Sequence, residues 1–125
     1  MRKIEFRGRD KYGNWHIGGY MKSWMYNENR MPETTMYIVK GFEEDVQVDT
    51  KTIGQYTGLK DKNGRDIYEG DIVKYIDASN TVNHLVVKWN ESNACFDIGW
   101  VRTDYASNSG EVIGNIHDNP ELLEK

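Results

Sequence analysis

Gln55-Tyr-Thr-Gly-Leu-Lys-Asp-Lys-Asn-Gly-Arg-Asp-Ile-Tyr-Glu-Gly-Asp-Ile-Val-Lys-Tyr75 carries the densest local signal in the chain. Two bends of recognisable chemistry sit between runs that read as strands. Asn63-Gly64 supplies two consecutive residues that tolerate positive φ, which predicts a two-residue type I′ hairpin turn. Glu69-Gly70-Asp71 predicts a second bend, with Gly70 free to take a left-handed or otherwise crowded conformation. Arg65-Asp-Ile-Tyr68 is the returning strand, and Asp71-Ile-Val-Lys-Tyr-Ile76 follows the second bend.

Beyond this stretch the pattern stays β. Thr81 to Trp89 alternates, with Leu85, Val87 and Trp89 on one face and Val86 and Lys88 on the other. Asn90-Glu-Ser-Asn93 predicts a turn, and Ala94-Cys-Phe-Asp-Ile-Gly-Trp100 pairs back. Thr103 to Gly110 reads as a polar excursion around Tyr105, and Glu111 to Ile116 as the last strand. Asp118-Asn-Pro-Glu-Leu-Leu predicts a closing helical turn, capped by Asn119 with Pro120 at its first position.

Upstream, Lys3-Ile-Glu-Phe-Arg7 alternates as a half-buried strand, and Asn14 to Met21 resumes after a polar loop, so a hairpin is expected. Gly18-Gly19 predicts a bulge or bend. Asn27 to Pro32 reads as a surface loop, and Met25, Met31 and Met36, near Trp24 and Tyr26, are expected to fill the core in preference to packing on a partner. Met36 to Val39 and Glu43 to Asp49 complete the region, Val46 and Val48 sharing one face.

The chain has 125 residues, a length that suits one domain of roughly 100–150 residues or one with an elaborated N-terminal part. Val and Ile total 19 against 7 for Leu and Ala, an imbalance that favours pleated surfaces over helices. The expected architecture is mainly β: an N-terminal β-hairpin region over residues 1–52, then a small antiparallel, SH3-like barrel over 53–125, the two allowed to form one compact unit.

Charge and composition narrow the function classes. A net charge of −4 lacks the surplus that drives general binding to nucleic acid or to anionic membrane. Arg2, Lys3, Arg7, Arg9 and Lys11 still cluster near the start, which keeps a nucleic-acid-binding barrel as an unfavoured alternative. The single cysteine, Cys95, excludes an internal disulfide and reads as a small buried hydrophobe. No apolar run of about 18 residues occurs, and the charged N-terminus lacks a signal peptide's apolar centre, so a cytoplasmic protein without membrane contact is expected.

Catalytic and metal patterns fail on their spacing. Asp61, Asn63, Asp66, Glu69 and Asp71 invite a calcium loop, but counting back from its turn glycine puts Leu59 or Arg65 where the first ligand belongs. His16, His84 and His117 lie too far apart for a local zinc site, which leaves a metal-assisted enzyme as the remotest alternative. No phosphate loop, nucleophile elbow or dinucleotide glycine pattern occurs. No enzyme, no cofactor and no metal are therefore expected. Aromatic side chains are the remaining candidates, and the candidate binding surface is Arg7, Arg9, Tyr56, Tyr68, Trp89, Trp100 and Tyr105.

Three blocks also carry a family likeness. Gln55 to Gly64, then Ile67-Tyr-Glu-Gly-Asp-Ile-Val73, then Glu111 to Ile116 with Asn119-Pro-Glu-Leu-Leu123 resemble the YopX family of phage and prophage proteins. Ile4-Glu-Phe-Arg-Gly8 with Trp15 and Gly18 is similar to that family's N-terminal block, although Gly8-Arg9 stands where many relatives carry Ala-Trp. The resemblance implies a bacterial or phage-encoded cytoplasmic protein, largely β and oligomeric. It brings no catalytic residues. Together with the aromatics and methionines it sets the expectation of a non-catalytic, self-associating module that binds a protein partner.

Overall fold

A computed structural model describes residues 2–26, 28–30, 32–41 and 44–124, without the side chains of 24–26, 32, 33 and 41. The packing expected for Trp24, Met25, Tyr26 and Met31 therefore lies outside what is described. The chain divides into two compact units, Lys3–Gln55 and the part from Tyr56 on.

In the first unit, β1 (Phe6–Arg9), β2 (Trp15–Tyr26), β3 (Pro32–Gly41) and β4 (Glu44–Val48) form an antiparallel meander. The first strand begins at Phe6, later than expected, and Ile4 is 62% exposed. Register places Gly8 opposite His16, Phe6 opposite Gly18, Tyr20 opposite Ile38 and Ile38 opposite Val46. Alternation then puts these residues and Val48 on one face, where Ile38 and Val48 are buried. The meander curls until its ends meet: Asp49 N–H donates to Arg9 O at 2.8 Å, and Arg9 N–H donates to Thr52 Oγ1 at 2.9 Å.

The curl explains the glycines. A Cβ on Gly8 would stand 2.7 Å from Val48 Cγ2, and one on Gly18 would stand 2.2 Å from Val39 O. Gly18-Gly19 makes no bulge; β2 runs through it without a register shift, leaving β1 and taking up β3. Close approach, not a bend, is what demands Gly18.

The strand β5 (Gly54–Lys60) pairs its first two residues with β1 and its later ones with β6 (Asp66–Tyr68). In the second unit β7 (Asp71–Ile76), β8 (Val82–Asn90), β9 (Cys95–Ile98) and β10 (Glu111–Asn115) form a sheet in the order β10-β7-β8-β9. The sheet is open and does not close into a barrel. Val112, Val73 and Leu85 lie across one another, Val87 faces Ile98, and with Ile67, Val101 and Ala106 they make the core. Gly70 takes φ +91°, as expected for the second bend, and Asp71 Oδ2 accepts from Tyr68 N–H at 2.7 Å across it.

Thr103–Ser109 is a helix, α1, instead of a polar excursion. It has two turns and buries only Ala106 and Ser107, too little to register as helical periodicity. Pro120–Leu123 forms the expected closing turn, but Asn119 does not cap it; its Oδ1 accepts from Asn115 N–H at 3.2 Å.

The turn at Asn63-Gly64 is also of another type. Only Gly64, at φ +82°, is left-handed, while Asp61 Oδ1 accepts from Asn63 N–H and Arg65 N–H, both at 2.9 Å. Asp61 N–H donates to Arg65 O, and Gly64 N–H donates to Asp61 O. This is a longer loop with a glycine bulge, organised by a carboxylate. Asp61-Lys-Asn-Gly-Arg65 has two copies of its bonding pattern elsewhere. Asp10 Oδ1 accepts from Tyr12 and Asn14 N–H with Gly13 at φ +86°, and Asp77 Oδ1 accepts from Ser79 and Thr81 N–H with Asn80 at φ +61°.

Asp61 differs from the other two in reaching across the unit. Its Oδ2 accepts from Val112 N–H on β10 at 2.9 Å, and the residue is 6% exposed. Burial opposes its ionisation but is outweighed by the N–H groups of Val112, Arg65 and Asn63, so the carboxyl lies below its ordinary value. Asp10 is lowered by hydrogen bonding to His16 and then by Asn14 N–H, and Asp77 by Thr81 N–H and then Asn83.

A lowered carboxyl stabilises the fold fully above its unfolded value and stops doing so as the pH falls through its folded one. Chemical denaturation is therefore expected to show a stability plateau near neutrality and a decline below about pH 4. Asp61→Asn, which sets an amide donor against one of three N–H donors, is expected to cost about 2–3 kcal/mol at neutral pH and to flatten the acid decline. Unchanged stability in the variant would show that Asp61 does not organise the loop.

Candidate functional site

The seven residues expected to form one binding surface fall in both units, Arg7 and Arg9 in the first and the five aromatics in the second. In the first unit Arg7 is 8% exposed, with its guanidinium carbon 4.8 Å from the centre of the Trp15 ring. Arg9 is half-buried and lies 6.0 Å from the same ring. Lys3 pairs with Glu5 at 3.1 Å, and Lys11 lies 5.1 Å from the Tyr12 ring. Lys3, Arg7, Arg9 and Lys11 of the basic cluster are thus spread over strand faces and a loop.

In the second unit Tyr56 and Tyr68 are buried at 7% and 4% exposure, their ring centres 5.5 Å apart. They are core residues and leave the candidate surface. Burial follows from register, because Tyr56 and Tyr68 lie directly opposite each other across β5 and β6.

Trp89, Trp100 and Tyr105 are exposed at 44%, 69% and 55%. Trp89 continues the inner face of β8 beyond Leu85 and Val87 and meets Phe96 edge-on at 4.9 Å. Trp100 follows β9 and stands edge-on to Tyr75 at 6.4 Å. Tyr105 on α1 has the Arg102 guanidinium carbon 5.0 Å from its ring centre, and Arg102 Nε meets Asp104 Oδ1 at 2.8 Å. Thr103 Oγ1 donates to Phe96 O at 3.2 Å and ties the start of α1 to β9. Of the five candidate aromatics, the three exposed ones therefore sit on the β8–β9–α1 segment, each braced by a second side chain, while Tyr12 and Tyr20 are exposed in the first unit.

Arg102 and Phe96 escaped the sequence reading. Arg102 lies directly before the helix that the sequence did not reveal, and Phe96 sits beside a cysteine expected to be buried. Cys95 is in fact exposed. Its thiol is pushed up, first by partial desolvation and then by the Asp97 carboxylate, whose Oδ1 lies 3.8 Å from Sγ.

A second concave feature occurs in the first unit. An open groove of about 730 Å³ lies between residues 9–13 of the β1–β2 loop and residues 45–49 at β4. Asp10 and His16 stand beside it, Nε2 2.7 Å from Oδ2. The other oxygen of Asp10 is taken by two loop N–H groups, so the pair fastens the loop to β2. Among the described residues no group of three or more His, Cys, Asp or Glu side chains could hold a metal ion. No helix among them is long and apolar enough to cross a membrane.

The family model described as YopX protein matches residues 5–124. The chain belongs to the YopX family. A crystal structure of protein EF1440 from Enterococcus faecalis is similar in fold, with a TM-score of 0.60 and 24% identity over 99% of this chain and 100% of that one. No curated protein matches the chain. The YopX blocks map onto structure directly: the Gln55–Gly64 block is β5 with the Asp61 loop, the Ile67–Val73 block is the Gly70 bend, and the Glu111–Ile116 block is β10.

The Cys95 environment makes a checkable statement. Maleimide labelling of the folded protein is expected to reach one thiol per chain, with a pH–rate profile displaced above that of free cysteine. Labelling only after denaturation, or a profile below that of free cysteine, would contradict an exposed thiol facing Asp97.

Proposed function

We propose that this YopX-family chain is a non-catalytic module that associates with a second copy of itself through the β8–β9–α1 aromatic surface. The observation that carries this reading is the exposure of Trp89, Trp100 and Tyr105, the last of them with Arg102 over its ring. Trp, Tyr and Arg dominate the energetics of protein interfaces, because large rigid side chains bury area at low entropic cost. The exposed Arg102–Asp104 pair suits a two-fold interface, where the cation of one copy meets the anion of the other. A phage or prophage setting, a cytoplasmic location and an SH3-like course for the strands after residue 53 belong to the same reading. They rest on the family likeness and on the β5–β6 hairpin leading into β7.

The absence of catalysis is part of the proposal. What supports it is the structural employment of the groups that could have reacted: Asp10 and Asp61 cap loops, and the Cys95 thiol is held protonated. Nucleic acid is not favoured, since Arg7 is buried and Lys3 is ion-paired.

Light scattering over a concentration series is expected to show a reversible dimer or higher assembly. Trp100→Ala combined with Tyr105→Ala is expected to weaken it by about 2–4 kcal/mol, roughly thirtyfold or more, without lowering the melting temperature of the protomer. A strict monomer at every concentration, or an assembly indifferent to both substitutions, would end the proposal.

A further inference from the structure

We propose that Asn63 is a self-modification site: its side-chain amide is lost to attack by the backbone nitrogen of Gly64, water completes the conversion to a carboxylate, and the Asp61 loop governs the rate. The site lies in the β5–β6 loop and is independent of the aromatic surface.

Sequence singles out the position. An asparagine reacts in this way when the backbone nitrogen that follows it reaches its own side-chain carbon, and a side chain on the next residue hinders that approach. Asn63 is the one asparagine in the chain followed by glycine. Asn119 is excluded outright, because Pro120 has no N–H to lose. Both Asn63 and Gly64 are exposed, and nothing lies within 4 Å of the place where a Cβ on Gly64 would stand. Water has access, and no side chain stands in the way of ring closure.

The reaction balances with water as its only co-reactant. Hydroxide takes the Gly64 amide proton, the nitrogen bonds to Asn63 Cγ, and the Cγ–Nδ2 bond breaks to release ammonia. The product is a cyclic imide joining the two residues. Water then opens it at either carbonyl. Opening at Cγ restores the original backbone and leaves an aspartate. Opening at the main-chain carbonyl leaves an isoaspartate, whose backbone runs through Cγ and is longer by a carbon.

The loop holds this chemistry back. Gly64 N–H, the group that must lose its proton, donates to Asp61 O at 3.0 Å. Asp61 Oδ1 fixes the backbone on both sides through Asn63 N–H and Arg65 N–H, each at 2.9 Å. Closing the imide swings the peptide between Asn63 and Gly64 and breaks the first of these bonds, so a chain reacts only while its loop is open. Asp61 is itself held to Val112 N–H, and Lys62 N–H to Gly110 O, which sets the opening against contacts with β10 and the end of α1. The two products then differ. Aspartate keeps the ring of atoms that the Asp61 bonds close, whereas isoaspartate lengthens it and unfastens the loop from β10.

The test follows the full-length protein and an Asp61→Asn variant in one mildly alkaline buffer, with and without denaturant, and maps conversion by peptide mass. Asn63 is expected to convert before any other asparagine. Folding is expected to slow it by about tenfold or more, and to slow hydrogen exchange at Gly64 N–H by a similar factor, because both need the same opening. The folded variant is expected to convert about fivefold faster, the effect of one weakened hydrogen bond. If the variant does not fold, the comparison with Gly64 exchange decides alone. The isoaspartate form is expected to exchange Val112 N–H faster than the aspartate form. Equal rates with and without denaturant overturn the inference, as does earlier conversion of another asparagine. A folded-state rate well above what Gly64 exchange permits also overturns it, and so does an isoaspartate form that protects Val112 N–H as the unmodified protein does.

Discussion

The carboxylate of Asp61 is the contact on which the second unit depends. One oxygen gathers the N–H groups of Asn63 and Arg65 and so shapes the loop between β5 and β6. The other takes Val112 N–H from a strand 51 positions away. Around it Lys62 N–H reaches Gly110 O, and Ser107 Oγ donates to Lys60 O at 2.7 Å. The loop is thus stitched both to β10 and to the end of α1. Since Val112 packs with Val73 and Leu85, the position of the polar loop and the position of the apolar core are set together. A buried carboxylate is costly unless its lone pairs are filled, and three backbone donors fill them.

Much of this fold was legible in the sequence. Alternation located β8 and put Leu85, Val87 and Trp89 on one face, because a strand with one buried side must repeat every second residue. The Gly70 bend was legible for a different reason, as few residues other than glycine sit easily at φ +91°. The loop at Asn63-Gly64 was misread because the dipeptide is common to two turn types. What separates them is the aspartate two residues earlier. The spacing Asp-x-x-Gly recurs at Asp10–Gly13 and Asp61–Gly64, with Asp-x-x-Asn at Asp77–Asn80, so the signal was present as a repeat of loop chemistry. The helix α1 was not legible, since a two-turn helix that buries one small apolar side chain leaves almost no periodic trace.

The surface was harder to read than the core. Aromatic side chains are written identically in sequence whether they are buried or displayed, and the difference depends on what lies across the strand. Tyr56 and Tyr68 face each other and close over, whereas Trp89 runs on past Leu85 and Val87, edge-on to Phe96 and 44% exposed. The setting of the basic cluster was hidden for a similar reason. Arg7 and Arg9 alternate onto the Trp15 face, where planar guanidinium groups lie over the indole and are withdrawn from any external phosphate. Cys95 shows the converse. Its apolar neighbour suggested burial, but the register that opposes it to Asn90 places it at the hairpin's end.

The strand edges bring these threads together, because an open sheet must prevent its outer strands from recruiting other chains. Three devices are in use. β9 is short and turns back at once through the Ile98–Val101 bridge. β4 is closed at its end, where Asp49 N–H donates to Arg9 O, and carries an exposed charge at Asp45. β10 is closed by side chains in place of a strand: Asp61 takes Val112 N–H, and Arg65 extends a guanidinium to Val112 O at 3.5 Å. That last device works only while Asp61 is ionised, since a protonated carboxyl is a poorer acceptor for an N–H group. The same proton that loosens the loop would therefore release the edge of β10. Loop cap and edge guard at β10 are one charge, because the carboxylate that gathers the N–H groups of Asn63 and Arg65 is the one that takes Val112 N–H.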